Sequence, residues 1–233
     1  MTEPRYWAVV PAAGVGRRMG SAIPKQYLSL AGLSVIVRTL DTLLSHPRIS
    51  GVAVAIGADD LWWNSIRLDT GKPLLRVNGG EERCHSVLNA LYALRERAAP
   101  EDWVLVHDAV RPCLRSTDLD VLMETLKDDP VGGLLAVPVR DTMKRANADG
   151  RVSATVDRAA LWHALTPQMF RLHVLLNALE QALEQGLLVT DDAAAVEALG
   201  LAPRLVEGRA DNIKITRPED LALAEFYLTH SLG

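Results

Sequence analysis

The chain has 233 residues, 48% of them hydrophobic, and a net charge of −4. That is enough apolar material for one large core, and the acidic balance supplies no global basic field for nucleic acid, so cations that matter must act locally. No apolar run approaches the roughly 18 residues that would span a bilayer, and MTEPRYW at the start lacks a basic segment followed by a signal-type apolar core. The expectation is one cytoplasmic α/β domain over 1–233, without nucleic acid or membrane as partners, in which Cys84 and Cys113, which form no C-x-x-C pair, are reduced and packed.

Trp7 to Val10 is a short apolar run that reads as a buried parallel strand. It empties at Pro11 into a loop holding Gly14, Gly16 and Gly20 together with Arg17, Arg18 and Lys25. Glycine lets backbone N–H groups turn toward an anion, and arginine can fork across two phosphate oxygens. Neither common phosphate loop fits: the G-x-G-x-x-G fingerprint is one residue shorter, and no P-loop run ending in G-K-[ST] occurs. A glycine turn with solvated charges and a polyphosphate cradle both remain open. Arg18 and Lys25 beside a strand's carboxyl end, where open α/β sheets bind ligands, favour the cradle.

Ser34 is placed as the N-cap of a helix over VIVRTLDTLL. A second strand is predicted over Val52 to Ile56, ending at Gly57, and Trp62 and Trp63 are expected to pack a short helix or loop on the body. Leu74 to Val77 reads as a third strand running into Asn78, Gly79 and Gly80, followed from Glu81 by a long amphipathic helix. A Gly-Gly pair before a helix is commonly a plain turn, yet its backbone can also read a nucleobase edge, with Ser86 able to donate or accept there. Trp103 to Val106 is the fourth strand and delivers His107, Asp108 and Arg111. Asp108 is a candidate Mg²⁺ ligand, because Mg²⁺ takes one or two carboxylates plus substrate phosphate oxygens; a helix cap or an ion pair with Arg111 explains it as well. His107 has no partner at ligand spacing and reads as packed beside the strand.

A helix from Ser116 or Thr117 through Lys127 and a fifth strand over Gly133 to Val137 continue the rhythm. RDTMKR and RVSATVDR then flank an Asp149-Gly150 turn, which predicts a charged hairpin arm over about 139–159 that projects from the core to meet a second subunit. Leu161 to Leu165 is expected to be a strand stopped by Thr166 and Pro167, and Arg171 to Gln185 a helix closed by Gly186. Thr190, Asp191 and Asp192 are assigned to the cap of a helix to Leu199 rather than to a metal. Arg204 to Val206 and Asn212 to Ile215 are predicted as short strands, Lys214 being unusual between apolar neighbours, and Pro218 opens the last helix. This alternation describes a mostly parallel sheet with helices on both faces, a Rossmann-like three-layer sandwich.

PAAGVGRRMG with PKQY, GGEERCHSV, VHDAVRP, PVRDTMKR, TVDR with LWHALTPQ, and DNIKITRPEDLALAE together resemble the 2-C-methyl-D-erythritol 4-phosphate cytidylyltransferase family of the non-mevalonate isoprenoid pathway. These segments run in order from Pro11 to Glu225; the departures are Val110, where the family often has Ala, and Glu81, where Asp is frequent. The resemblance implies a nucleotidyltransferase that moves the cytidylyl group of CTP onto methylerythritol phosphate, with Mg²⁺ as cofactor. It implies Arg18 and Lys25 as catalytic cations and Asp108 as the metal residue, with Ala12, Ala13, Gly14, Gly80, Glu81 and Ser86 around CTP. Arg111, Thr142, Arg158 and Lys214 would hold the sugar phosphate, Thr142 and Arg158 reaching the neighbour's site in a homodimer with interlocked hairpins. The chemistry suits such a residue set, since a phosphate monoester is already largely ionised near pH 7 and needs no general base. A ribitol 5-phosphate cytidylyltransferase is the nearest rival; a glycosyltransferase would want an Asp-x-Asp motif, and a silent nucleotide sensor would not need both Arg18 and Lys25.

Overall fold

The computed structural model describes residues 3–14 and 23–230. In chain order the strands are β1 (Tyr6–Pro11), β2 (Ser29–Leu30), β3 (Leu33–Ser34), β4 (Ile49–Ile56), β5 (Leu74–Asn78), β6 (Trp103–Val106), β7 (Gly132–Pro138), β8 (Met143–Ala146), β9 (Val152–Val156), β10 (Trp162–Arg171) and β11 (Arg204–Glu207). The helices are α1 (Val35–Ser45), α2 (Arg83–Leu94), α3 (Ser116–Leu126), α4 (Leu172–Glu184), α5 (Asp192–Ala198) and α6 (Pro218–Thr229). Seven strands form one sheet in the order β11-β7-β10-β6-β1-β4-β5, parallel except for β10, which runs antiparallel to both β6 and β7.

The apolar run of β1 has its physical reason in burial on both faces. Trp7 and Val9 pack into a core with α2, α4 and α5, whereas Ala8 and Val10 face the opposite core with α1 and α3. In α1, Ile36, Leu40, Leu43 and Leu44 recur at the helical period and all join that second core. Because β1, β4, β5 and β6 are parallel, their carboxyl ends share one edge, and the loops after β1, β5 and β6 open there together.

Two predicted elements differ. β10 does not stop at Thr166 and Pro167 but runs through them; its register with β7 slips between Ala164 and Gln168, around a proline that has no N–H to give, and Gln168 to Arg171 then pair with β6. Asn212 to Ile215 forms no strand, because its backbone groups go to the loop after β6: the Ile215 N–H donates to the Val110 carbonyl at 2.9 Å, and the Asn212 carbonyl accepts from Arg111 at 2.7 Å. Ser34 does stand at the N-cap of α1, but its hydroxyl makes no capping bond and is buried without a partner. The predicted hairpin is present as a separate β8–β9 sheet, its turn held by Asn147, whose side-chain oxygen accepts from the Asp149 and Arg151 N–H groups. Nearly all of its residues are exposed. Cys84 and Cys113 are free and buried, as expected.

Where β7 meets β11 the backbones approach so closely that a Cβ on Gly133 would lie 2.1 Å from the Arg204 carbonyl oxygen. Gly133→Ala is expected to lower the thermal midpoint, by about 2–4 °C for each kcal/mol lost in a domain of this size, and to strip hydrogen-exchange protection from β11. An unchanged midpoint with β11 still protected would show that the pair can move apart at little cost.

Candidate active site

The loops at the carboxyl edge enclose a cavity of about 250 Å³. Ala12, Ala13 and Gly14 form one wall after β1, Lys25 another, and the segment from Gly80 to Ser86 a third. Glycine is required where these walls converge: a Cβ on Gly79 would sit 2.3 Å from the Ala13 Cβ and 2.9 Å from Ser86 Oγ, and one on Gly80 2.3 Å from the His85 Cβ. Ser86, nearly inaccessible, accepts the Gly80 N–H at 3.0 Å and donates to the Glu82 carbonyl at 3.3 Å. Its proton is therefore committed, and what it can offer a ligand is a lone pair. The loop of Lys25 is tied down from both sides, by Gln26 Nε2 donating to the Ala12 carbonyl at 2.9 Å and by Lys25 Nζ donating to the Ile215 carbonyl at 3.1 Å.

Asp108 marks the far wall. It is buried, and three cations converge on it: Lys214 Nζ at 2.9 Å, Arg83 Nε at 3.2 Å and Arg111 Nε at 3.5 Å. Burial alone would raise its pKa, but these cations, Arg83 and Lys214 foremost, hold it well below the usual carboxylate range. On its other side lies a second cavity of about 200 Å³, lined by Arg111, Thr166, Gln168, Thr190 and Asp191. Arg83, Asp108 and Lys214 border both cavities. An ion cluster thus forms the partition between two compartments, an arrangement suited to bringing two phosphorylated reactants together.

Arg83 borders both cavities, although sequence reasoning left it without a role. Its partners are 25 and 109 residues away: Asp108, and Asp192 at 2.8 Å. The only local signal was a cation on the first turn after a Gly-Gly pair. Burial opposes the Arg83 charge, yet attraction to Asp192 and Asp108 prevails and its pKa rises. Asp192 is fully buried at the start of α5, where burial pushes its carboxyl up against the pull of Arg83. Asp191 does act as a cap, accepting the Ala194 N–H at 3.0 Å and also Gln168 Nε2 at 3.0 Å. His107 is buried as expected, and burial lowers its pKa to about 4.

The structure gathers most of the sequence-predicted residues. Ala12, Ala13, Gly14, Lys25, Gly80, Glu81, Ser86, Asp108 and Lys214 line the first cavity, and Arg111 the second. Thr142 and Arg158 border neither; both are exposed on the hairpin segment, where Arg158 donates to the Arg140 carbonyl. Arg18 lies outside the described residues. Among the described residues no group of three or more His, Cys, Asp or Glu side chains could by itself hold a metal ion, and no helix is long and apolar enough to cross a membrane.

A glycine-walled, cation-lined cavity at the carboxyl ends of parallel strands defines a nucleotide-binding α/β protein. The model of the IspD family, 2-C-methyl-D-erythritol 4-phosphate cytidylyltransferase, matches residues 6–230, and the chain belongs to that family. The 2-C-methyl-D-erythritol 4-phosphate cytidylyltransferases of Pseudomonas putida (strain W619) and Pseudomonas aeruginosa (strain PAO1) are 58% and 57% identical to it, each match covering 94% of both chains. The crystal structure of the Francisella tularensis enzyme of that name superposes with a TM-score of 0.83 at 37% identity, covering 95% of this chain and 99% of that one. A crystal structure of a 4-diphosphocytidyl-2C-methyl-D-erythritol synthase gives 0.85 at 36% identity, over 97% and 100%.

Arg83→Met would leave Asp192 buried without its cation. A loss of about 3–5 kcal/mol is expected, the cost of breaking a buried pair from one side, measured by urea unfolding. The double variant Arg83→Met with Asp192→Leu should recover much of that loss; if it is no more stable than the single one, the pair is not the cause.

Proposed function

We propose that this protein transfers the cytidylyl group of CTP to 2-C-methyl-D-erythritol 4-phosphate, releasing pyrophosphate, in the cytoplasmic synthesis of isoprenoid precursors. The observation that carries this reading is the shared partition: nucleotide on the Gly80–Ser86 side, polyol phosphate on the Arg111–Thr166 side, and Asp108, Arg83 and Lys214 between them. The acceptor phosphate is ionised near neutrality and attacks the α-phosphorus without a general base. Catalysis then consists of alignment and charge, and the residues available are cations: Lys25, Lys214 and Arg111, joined by Arg18 on the strength of the family resemblance. A single donor aimed at developing charge is typically worth about 3–4 kcal/mol.

Mg²⁺ would meet Asp108 as a carboxylate whose two oxygens already face Arg83, Arg111 and Lys214. One carboxylate stands at the junction, and Mg²⁺ commonly takes one or two carboxylates with the remaining ligands from phosphate oxygens and water. Asp108 would hold the ion, which when bound neutralises charge on the triphosphate. For the base, the lone pair left on Ser86 suits an exocyclic amino group, which cytosine presents and uracil does not; adenine presents one too, and the small cavity beside Gly80 and Ser86 favours the single-ring base over it. The prediction is that pyrophosphate release with Mg²⁺ is strong for CTP and weak for UTP and ATP, and stronger for methylerythritol phosphate than for ribitol 5-phosphate. Equal use of ATP would remove the cytosine assignment, and a preference for ribitol 5-phosphate would change the acceptor.

The active species in this reading is a homodimer in which the hairpin arm lends Thr142 and Arg158 to the partner's second cavity. Their exposure away from their own chain's cavities supports it, as does the exposure of Met143 and Val152 on the same hairpin. If Lys25→Ala and Arg158→Ala are each nearly inactive, equal mixing with free subunit exchange should restore about a quarter of the sites, because core and arm then come from different chains. No recovery despite verified exchange would place both residues in the same chain's site.

A further inference from the structure

His107 closes β6, is fully buried, and has no part in the transfer chemistry above. Its Nε2 lies 3.1 Å from the Arg111 carbonyl oxygen, which can only accept, so Nε2 carries the ring proton and Nδ1 presents a lone pair. Thr166 Oγ1, 2.9 Å from Nδ1, must then donate to it. The threonine oxygen is left to accept, and the Asp108 backbone N–H donates to it at 3.1 Å. The loop that presents Asp108 and Arg111 is therefore closed through one ring and one hydroxyl.

A second circuit shares the same threonine. The Thr166 carbonyl accepts from Asn212 Nδ2 at 2.8 Å, and the Asn212 carbonyl accepts from Arg111 Nη1 at 2.7 Å. An apolar ring at 107 could fill the space, but the Arg111 carbonyl and the Thr166 hydroxyl would both lose their partner in a dry interior. We propose that His107 is a positioning residue of the site, setting Asp108 through the Thr166 hydroxyl and Arg111 through its backbone carbonyl. The kinetic consequences rest on the functional reading above; the geometry does not.

Two substitutions separate the arms of the device. In His107→Gln the amide can still donate toward the Arg111 carbonyl but offers Thr166 nothing at Nδ1; in His107→Asn the amide oxygen can still accept from Thr166 but no donor reaches Arg111. His107→Gln should lower kcat about ten-fold with both KM values little changed, whereas His107→Asn should raise KM for the polyol phosphate about ten-fold and spare KM for CTP. Thr166→Val cuts that link and also removes the acceptor of the Asp108 N–H, so it should lower kcat at least as much as His107→Gln, and His107→Gln placed on top of it should lower kcat no further, since the link it cuts is already gone. Variants that share a lowered thermal midpoint but keep wild-type kcat and KM would reduce His107 to packing and overturn the proposal. Nitrogen-15 NMR of the wild-type imidazole tests the geometry without turnover or mutation: the Nε2–H tautomer supports it, and an Nδ1–H or doubly protonated ring at neutral pH overturns it. A wild-type protein with the Nε2–H ring but no cytidylyl transfer would support the geometry and overturn the functional reading alone.

Discussion

One buried carboxylate surrounded by three cations is the constraint on which the site depends. Taking Asp108 out of water would cost several kcal/mol if it stood alone. The offset comes from Arg83 on α2, Lys214 on the 212–215 segment and Arg111 on its own loop, so each ion pair also ties a separate piece of chain to the end of β6. Counting Asp192 as well, three cations face two carboxyl groups, and Lys25 stands across the first cavity. Glu81, Glu82 and Asp191 line the two cavities as well, so the charge there is mixed and the cations act through their positions at the partition rather than through a net surplus.

The antiparallel strand gives this cluster a cavity on each side. An unbroken parallel sheet would give one crevice at its carboxyl edge. β10, inserted between β6 and β7 and slipped around Pro167, instead brings Thr166 and Gln168 against the Asp108 loop and makes the second cavity's wall. Gln168 extends the arrangement to α5, donating to Asp191 and accepting the Ala193 N–H at 2.7 Å. The same contacts place Asp192 where it can hold Arg83, so the second cavity's wall and the ion cluster are built from one set of hydrogen bonds.

Near-neighbour signals were legible in the chain. Trp7 to Val10 and Trp103 to Val106 declared themselves as strands because both faces of each are buried, and the helical periods of α1, α2 and α4 appear in the sequence because each buries one stripe. The hairpin turn, the Asp191 cap and the packed His107 were readable for the same reason: their decisive interactions lie within a few residues or follow from burial. Glycine-rich loops beside cations pointed to phosphate, and their order along the chain pointed to the family.

What the sequence determined by itself was most of the strands and helices of the main sheet, the loops at its carboxyl edge, and the residue types those loops carry. What only the tertiary structure decided was their pairing: Arg83 with Asp108 and Asp192, Lys214 with Asp108, Thr166 with His107, and Asn212 to Ile215 with the loop after β6 instead of with a sheet. Propensity and periodicity are local and say which surface a residue seeks. An ion pair across a hundred residues, or a proline carried through a strand by a slip in register, depends on which surfaces the packed core has already brought within 3 Å or so of each other, the reach of a hydrogen bond.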